Sequence, residues 1–155
     1  MREVRFAADC NVGKLARWLR ALGYDAVYHP RIADGELVRL ALAEGRVVLT
    51  RDRDLTRRRV VVSGLLRAVL LEDDQVRLQL RQVVRELQLR PERALSRCLE
   101  CNLELELRDA AEVADRVPPY VRATQSSYSE CPGCGRIYWA GTHWQHMHEV
   151  MAGLA

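Results

Sequence analysis

Two sets of side chains in this sequence are of types, and at spacings, that could do chemistry. Cys98-Leu99-Glu100-Cys101-Asn102 and Cys131-Pro132-Gly133-Cys134-Gly135 each carry a Cys-x-x-Cys pair. Such spacing lets both sulfurs of a pair reach one tetrahedral ion, and four thiolates leave no open coordination position. Cys98, Cys101, Cys131 and Cys134 therefore predict a structural zinc site. Asn102 and Gly135 suit the left-handed turn that follows each pair. The second set is acidic. Asp9, Asp34, Asp52 and Asp54 each fall where an apolar run ends or a helical pattern begins. Aspartate is a favoured helix N-cap, so Asp9, Asp34 or Asp54 taken singly could be only that. Asp52, between a strand end and the next helix, is the hardest to explain as a cap. Gathered at one place, these carboxylates would repel one another and rise in pKa unless a cation neutralised them. All-oxygen sites suit Mg²⁺ or Mn²⁺, ions that activate water, neutralise phosphate charge and stabilise a leaving oxygen in phosphodiester hydrolysis.

Several neighbouring residues read less sharply. Lys14, near the start of a helical pattern, could hold a scissile phosphate as a point charge or simply sit on a solvated helix face. Cys10 reads as a small buried apolar residue beside the site. Glu36 could be a further ligand but reads more simply as an exposed helix residue, and Glu72, Asp73 and Asp74, also at a strand end, suit capping of the helix that follows. His143, His146 and His148, beside Trp139 and Trp144, could contact nucleic acid or pack a small ribbon; their spacing is not His-Glu-x-x-His. No phosphate-binding glycine loop, nucleophile elbow or dinucleotide fingerprint is present, which excludes kinase, hydrolase-triad and dehydrogenase readings.

If the aspartates are to meet, strands must deliver them to one edge. Val4 to Ala8 predicts a strand with Asp9 at its end. Val12, Leu15, Ala16, Leu19 and Leu22 recur at helical spacing, closed by Gly23. Tyr24 to Tyr28 reads as a second strand, Asp34 to Glu44 as a helix with Leu37, Leu40 and Ala41 inward and Gly45 as its cap, and Arg46 to Thr50 as a third strand. Residues 55 to 65 read as helix despite Val60-Val61-Val62. Arg67 to Leu71 reads as a fourth strand, and Val76 to Leu87 as a long helix that stops before Pro91. Strands alternating with helices predict an α/β fold, a Rossmann-like and mostly parallel sheet with helices on both faces, whose ligand edge is the carboxyl ends of the strands. From Arg93 the pattern changes. Leu103 to Leu107 alternates as a half-exposed strand, Gly135 to Tyr138 could be another, and Thr142 with Gln145 forms a capping box for a helix through Met151. The expected division is a first domain over residues 1–92 and a zinc-ribbon domain over 93–155, the latter small enough to need its metal.

Composition agrees with two unlike parts. The net charge of +3 divides into +6 over residues 1–90 and −3 over 91–155, and Lys14 is the sole lysine. A basic first part suits a polyanionic partner or a solvated arginine-rich surface. No apolar run reaches the ~18 residues of a membrane span, and residues 1–6 lack a signal-peptide layout, so a cytoplasmic protein without a membrane partner is expected.

Phe6-Ala7-Ala8-Asp9, Gly13 to Arg20 with Leu22-Gly23-Tyr24-Asp25, and Leu49-Thr50-Arg51-Asp52 resemble the PIN-like ribonuclease family named after the C-terminal domain of the Mut-seven exonuclease. Ser96 to Asn102 and Cys131 to Trp144 resemble the zinc ribbon of the same family. The resemblance spans essentially the whole chain. It implies a PIN-like fold and a divalent-metal ribonuclease acting on RNA, with Asp9, Asp34 and Asp52 as acidic metal ligands and Asp54 where an additional acid is often found. The competing expectation is a non-catalytic RNA-binding or ribosome-associated module; a toxin of a toxin-antitoxin pair would not need the fused ribbon.

Overall fold

The computed structural model describes residues 3–154. In chain order its elements are β1 (Phe6–Ala8), α1 (Gly13–Ala21), β2 (Ala26–Tyr28), α2 (Asp34–Glu44), β3 (Val47–Thr50), α3 (Arg53–Thr56), α4 (Arg59–Val62), β4 (Ala68–Leu70), α5 (Val76–Leu87), β5 (Glu106–Arg108), α6 (Ala110–Val113), α7 (Pro119–Thr124), β6 (Tyr128–Glu130), β7 (Ile137–Tyr138) and α8 (Thr142–Ala152). The first four strands form a sheet of order β2-β1-β3-β4 in which every neighbouring pair is parallel. The two central strands are the most thoroughly buried, since a strand covered on both faces has no side for water.

Side-chain alternation along these strands divides the core in two. Phe6, Ala8 and Leu49 face Leu15 and Leu19 of α1 and Leu80 and Val83 of α5. Ala7 and Val48 face Leu37 and Ala41 of α2, with Leu55 and Leu66 beyond. The expected α/β layering is present, and so are the expected helix stops. Gly45 takes φ 66° and its N–H donates to the Ala41 carbonyl. Gly23 takes φ 93°, and a Cβ there would run into the carbonyl of Arg93.

Three local expectations need correction. Residues 55–65 are helical but broken into α3 and α4, with Val60 and Val61 half-buried against the second core and Val62 exposed. Leu103 to Leu107 is not one strand: only an isolated bridge joins Arg97 to Glu104, β5 starts at Glu106, and Leu103 and Leu107 remain exposed. The capping box does not form. Gly141 is the N-cap of α8, Thr142 lies inside the helix, and the first-turn contact is backbone only, from Gln145 N–H to the Gly141 carbonyl.

The second sheet is antiparallel, β5-β6-β7, and closes over Val113, Val117, Val121 and Tyr128. It leans on α1 through Ala21, Leu99 and Met147. A polar seam sits beside this contact. Buried Arg20 donates from Nε to the Ala26 carbonyl (2.8 Å) and from Nη1 to the carbonyls of Leu99 (2.7 Å) and Glu100 (3.1 Å). Asn102 accepts the Ala26 N–H at 3.0 Å and donates to Asp25 Oδ1 at 2.6 Å. Arg46, also buried, grips both oxygens of Asp25 and the Phe6 carbonyl. Burial alone would raise the Asp25 pKa, but the bonds from Arg46 and Asn102 outweigh it and hold the carboxyl below its ordinary value. Phe6 and Ala26 are register partners at the first residues of β1 and β2, so the first cysteine pair docks at the amino edge of the parallel sheet.

Candidate active site and metal centre

Asp9 follows the last residue of β1 and continues the ladder, its N–H donating to the Leu49 carbonyl at 2.9 Å. Its carboxylate is buried, with Oδ1 accepting the Cys10 N–H and Oδ2 accepting the Thr50 hydroxyl, each at 2.7 Å. The same Thr50 oxygen accepts the N–H of Asp52 at 3.0 Å. Thr50 is fully buried, as a β-branched residue at a central strand end suits, and its hydroxyl ties the ends of β1 and β3 together. Asp52 is extended and caps α3, its Oδ1 accepting the Asp54 N–H at 2.9 Å.

Asp34 completes the group. It is the first residue of α2, after Ala33 at the N-cap, and its side chain caps nothing. Burial first, then the negative charges of Asp9 and Asp52, push its carboxyl above the ordinary value, and the Arg58 guanidinium pulls partly against them. Three carboxylates are therefore brought together at the carboxyl edge of the sheet, the opposite edge from the cysteine pair.

The remaining acids stand apart. Asp54 is 89% exposed and lies 3.7 Å from Arg57, facing solvent. The capping expectations are reversed: Asp52 is the cap, while neither Asp34 nor Asp54 caps through its side chain, and the N-cap of α1 is Val12 and not Asp9. Lys14 is exposed on the first turn of α1 and makes no hydrogen bond or ion pair among the described residues. Cys10 is exposed, not buried, and its thiol pKa is raised by desolvation and the Asp9 charge. Glu36 and Glu72 are exposed, and Asp73 accepts the Gln75 N–H where the chain turns into α5. Sequence reasoning passed over Thr50 and Arg58. A threonine two residues before an aspartate at a strand end was the available signal for the first.

The donor set suits a hard cation. Asp9 is held rigid by two donors yet keeps lone pairs on both oxygens, and neighbouring negative charge already disfavours ionised Asp34. These oxygens form a looser set than the thiols: among the described residues, only the four cysteines bring all their ligand atoms within 4.8 Å of one another. Mg²⁺ and Mn²⁺ accommodate such spacing because Mg²⁺ characteristically retains water among its ligands, and Mn²⁺ shares its preference for oxygen.

The cysteine cluster fits a tetrahedral ion closely. Zn–S bonds of ~2.3 Å put the sulfurs ~3.8 Å apart, and Cys98 Sγ lies 3.8 Å from Cys134 Sγ. The two pairs are built alike. Asn102 N–H donates to the Cys98 carbonyl and Gly135 N–H to the Cys131 carbonyl, with φ 65° and 76° at the two turns. Cys101 N–H points at Cys98 Sγ and Gly133 N–H at Cys131 Sγ, both at 3.4 Å. Tyr138, missed from sequence, locks the first turn: its hydroxyl oxygen accepts the Leu99 N–H and lies 3.1 Å from Cys98 Sγ. Without a cation the thiols compete. The bond to Cys134, then desolvation, pushes Cys101 up to about 12, while bonds from Arg136 bring Cys134 down to about 6. Cys98 and Cys131 are buried; Cys101 and Cys134 are exposed.

A family model described as the Mut7-C RNAse domain matches residues 4–151. No curated protein and no solved structure matches the chain. Among the described residues, no helix is long and apolar enough to cross a membrane.

Proposed function

We propose that this chain, which belongs to the Mut7-C RNAse domain family, hydrolyses RNA phosphodiester bonds with a divalent cation at Asp9, Asp34 and Asp52. The observation that carries the reading is the Thr50 hydroxyl joining Asp9 to Asp52, with Asp34 held up in pKa by burial and by the other two charges. When bound, Mg²⁺ or Mn²⁺ supplies a Lewis acid for the phosphate and a more acidic water. The chain's own part is orientation. Thr50 and the Cys10 N–H fix Asp9, the α3 cap fixes Asp52, and Asp34 approaches from the start of α2. Lys14, Arg51, Arg53 and Arg58 are exposed cations available to non-bridging phosphate oxygens. In this reading residues 1–92 carry the chemistry and 93–155 form a zinc ribbon whose reduced thiols fit a cytoplasmic setting.

The test uses zinc-loaded protein, a mixture of single-stranded and structured RNA, and Mn²⁺ added or withheld, with Asp52→Asn alongside. Cleavage is expected only for the unaltered chain with Mn²⁺. Asparagine caps a helix as well as aspartate does, so the loss would not reflect unfolding. Cleavage persisting without Mn²⁺ and in the variant overturns the proposal. RNA bound but never cut favours a binding module.

A further inference from the structure

We propose that a groove on the ribbon takes unpaired nucleobases of single-stranded RNA, an inference that rests on the ribonuclease reading of the carboxylate edge. The groove, about 740 Å³, runs between α7, the β5-β6-β7 sheet and the start of α8. Its volume lies within the ~300–1,000 Å³ of ordinary ligand sites. Tyr120, Trp139, His143 and Trp144 supply rings along its wall. Tyr120 is 70% exposed and Leu107, at the rim, 83%, so neither is spent on holding the ribbon together. Trp144 is ordered in advance by stacking on His148, with ring centroids 4.9 Å apart and planes within 7°.

The charges around the groove favour neither a phosphate nor a charged peptide. No carboxylate lines the groove, although this part of the chain is acidic overall. Glu104, Glu106 and Glu130 are paired with Arg93, Arg108 and Arg116. The lining cation, Arg97, is itself engaged, its Nη1 donating to the Asn102 carbonyl at 2.6 Å and its Nη2 lying 3.7 Å from Glu104. Planar rings interleaved with hydroxyls and amides, here Ser127, Ser129 and Gln125, are the means by which proteins hold splayed bases. Contact is thus directed at bases, and phosphate recognition stays with the arginine-rich first part.

The test is fluorescence anisotropy of a short labelled oligouridine on the zinc-loaded full chain carrying Asp52→Asn, which prevents cutting. Tyr120→Ala and Trp144→Ala should each weaken binding at least about fivefold, the scale of one lost base stack. Tyr120→Phe should bind as the parent does. The salt dependence should be unchanged, because no phosphate contact is removed. Alanine variants that bind like their parent overturn the proposal, and so does a parent that binds no oligouridine, leaving the groove to a protein segment. Normal binding by the alanine variants of a chain that cleaves RNA defeats the groove alone. Lost binding in variants of a chain that never cleaves defeats the ribonuclease reading alone.

Discussion

Asp34 carries the electrostatic strain of the carboxylate edge. Its pKa is raised by burial and by Asp9 and Asp52, so folding is disfavoured as pH rises from the unfolded value near ~3.9 through the folded one. Asp34→Asn should therefore raise the melting temperature of the divalent-free protein at neutral pH. The gain should vanish below about pH 4, where the wild-type carboxyl is protonated in both states. Equal melting temperatures at pH 7 would show that the three charges do not interact. The positions of Asp9, Asp34 and Asp52 were legible because apolar runs stop at them. What each side chain does was not. A cap is decided by one backbone torsion, and it fell to Asp52, the residue least expected to take it. The Thr50 bridge links strands distant in sequence and leaves no periodic trace.

At the level of elements, the parallel sheet and its helices were legible because each buries a face, and burial imposes a period of two or of 3.6 on the sequence. The ribbon obeys weaker rules. The alternating leucines from Leu103 to Leu107 looked like a strand's inward face, yet the chain there bends from the cysteine turn toward β5, and Leu103 and Leu107 are left in solvent. The helices α6 and α7 and the strand β6 went unread because a small cluster around Tyr128 and a four-sulfur centre, not a periodic face, fix their places. The docking of ribbon on sheet can be tested at Asn102. Asn102→Gly keeps the left-handed backbone and removes only the bonds to Ala26 and Asp25; it should cost about 1–3 kcal/mol by denaturant titration. Asn102→Ala should cost more still, because it adds strain at positive φ. An Asn102→Gly variant as stable as the parent would mean that the side-chain bonds do not matter.

The whole molecule is a parallel sheet with two unlike candidate centres, carboxylates at one edge and thiols braced against the other. Arg20 and the Leu99–Ala21–Met147 contact join the ribbon to α1, and Asn102 joins it to the start of β2, so the two sheets should unfold as one. Cys98→Ser should lose about one zinc per chain and lower the melting transitions of both parts together, read by metal analysis and by near- and far-UV circular dichroism. Full zinc occupancy in that variant would contradict the four-cysteine assignment. A chelator added to the working protein should act at two speeds. Ions held at the carboxylate edge, as proposed, would share their coordination with water and leave quickly, with activity returning on addition of Mn²⁺. The thiol centre, with Cys98 and Cys131 buried, would release its ion slowly and loosen the ribbon as it did so. Brief exposure would then give a loss that Mn²⁺ alone reverses, and prolonged exposure one that also requires zinc and refolding.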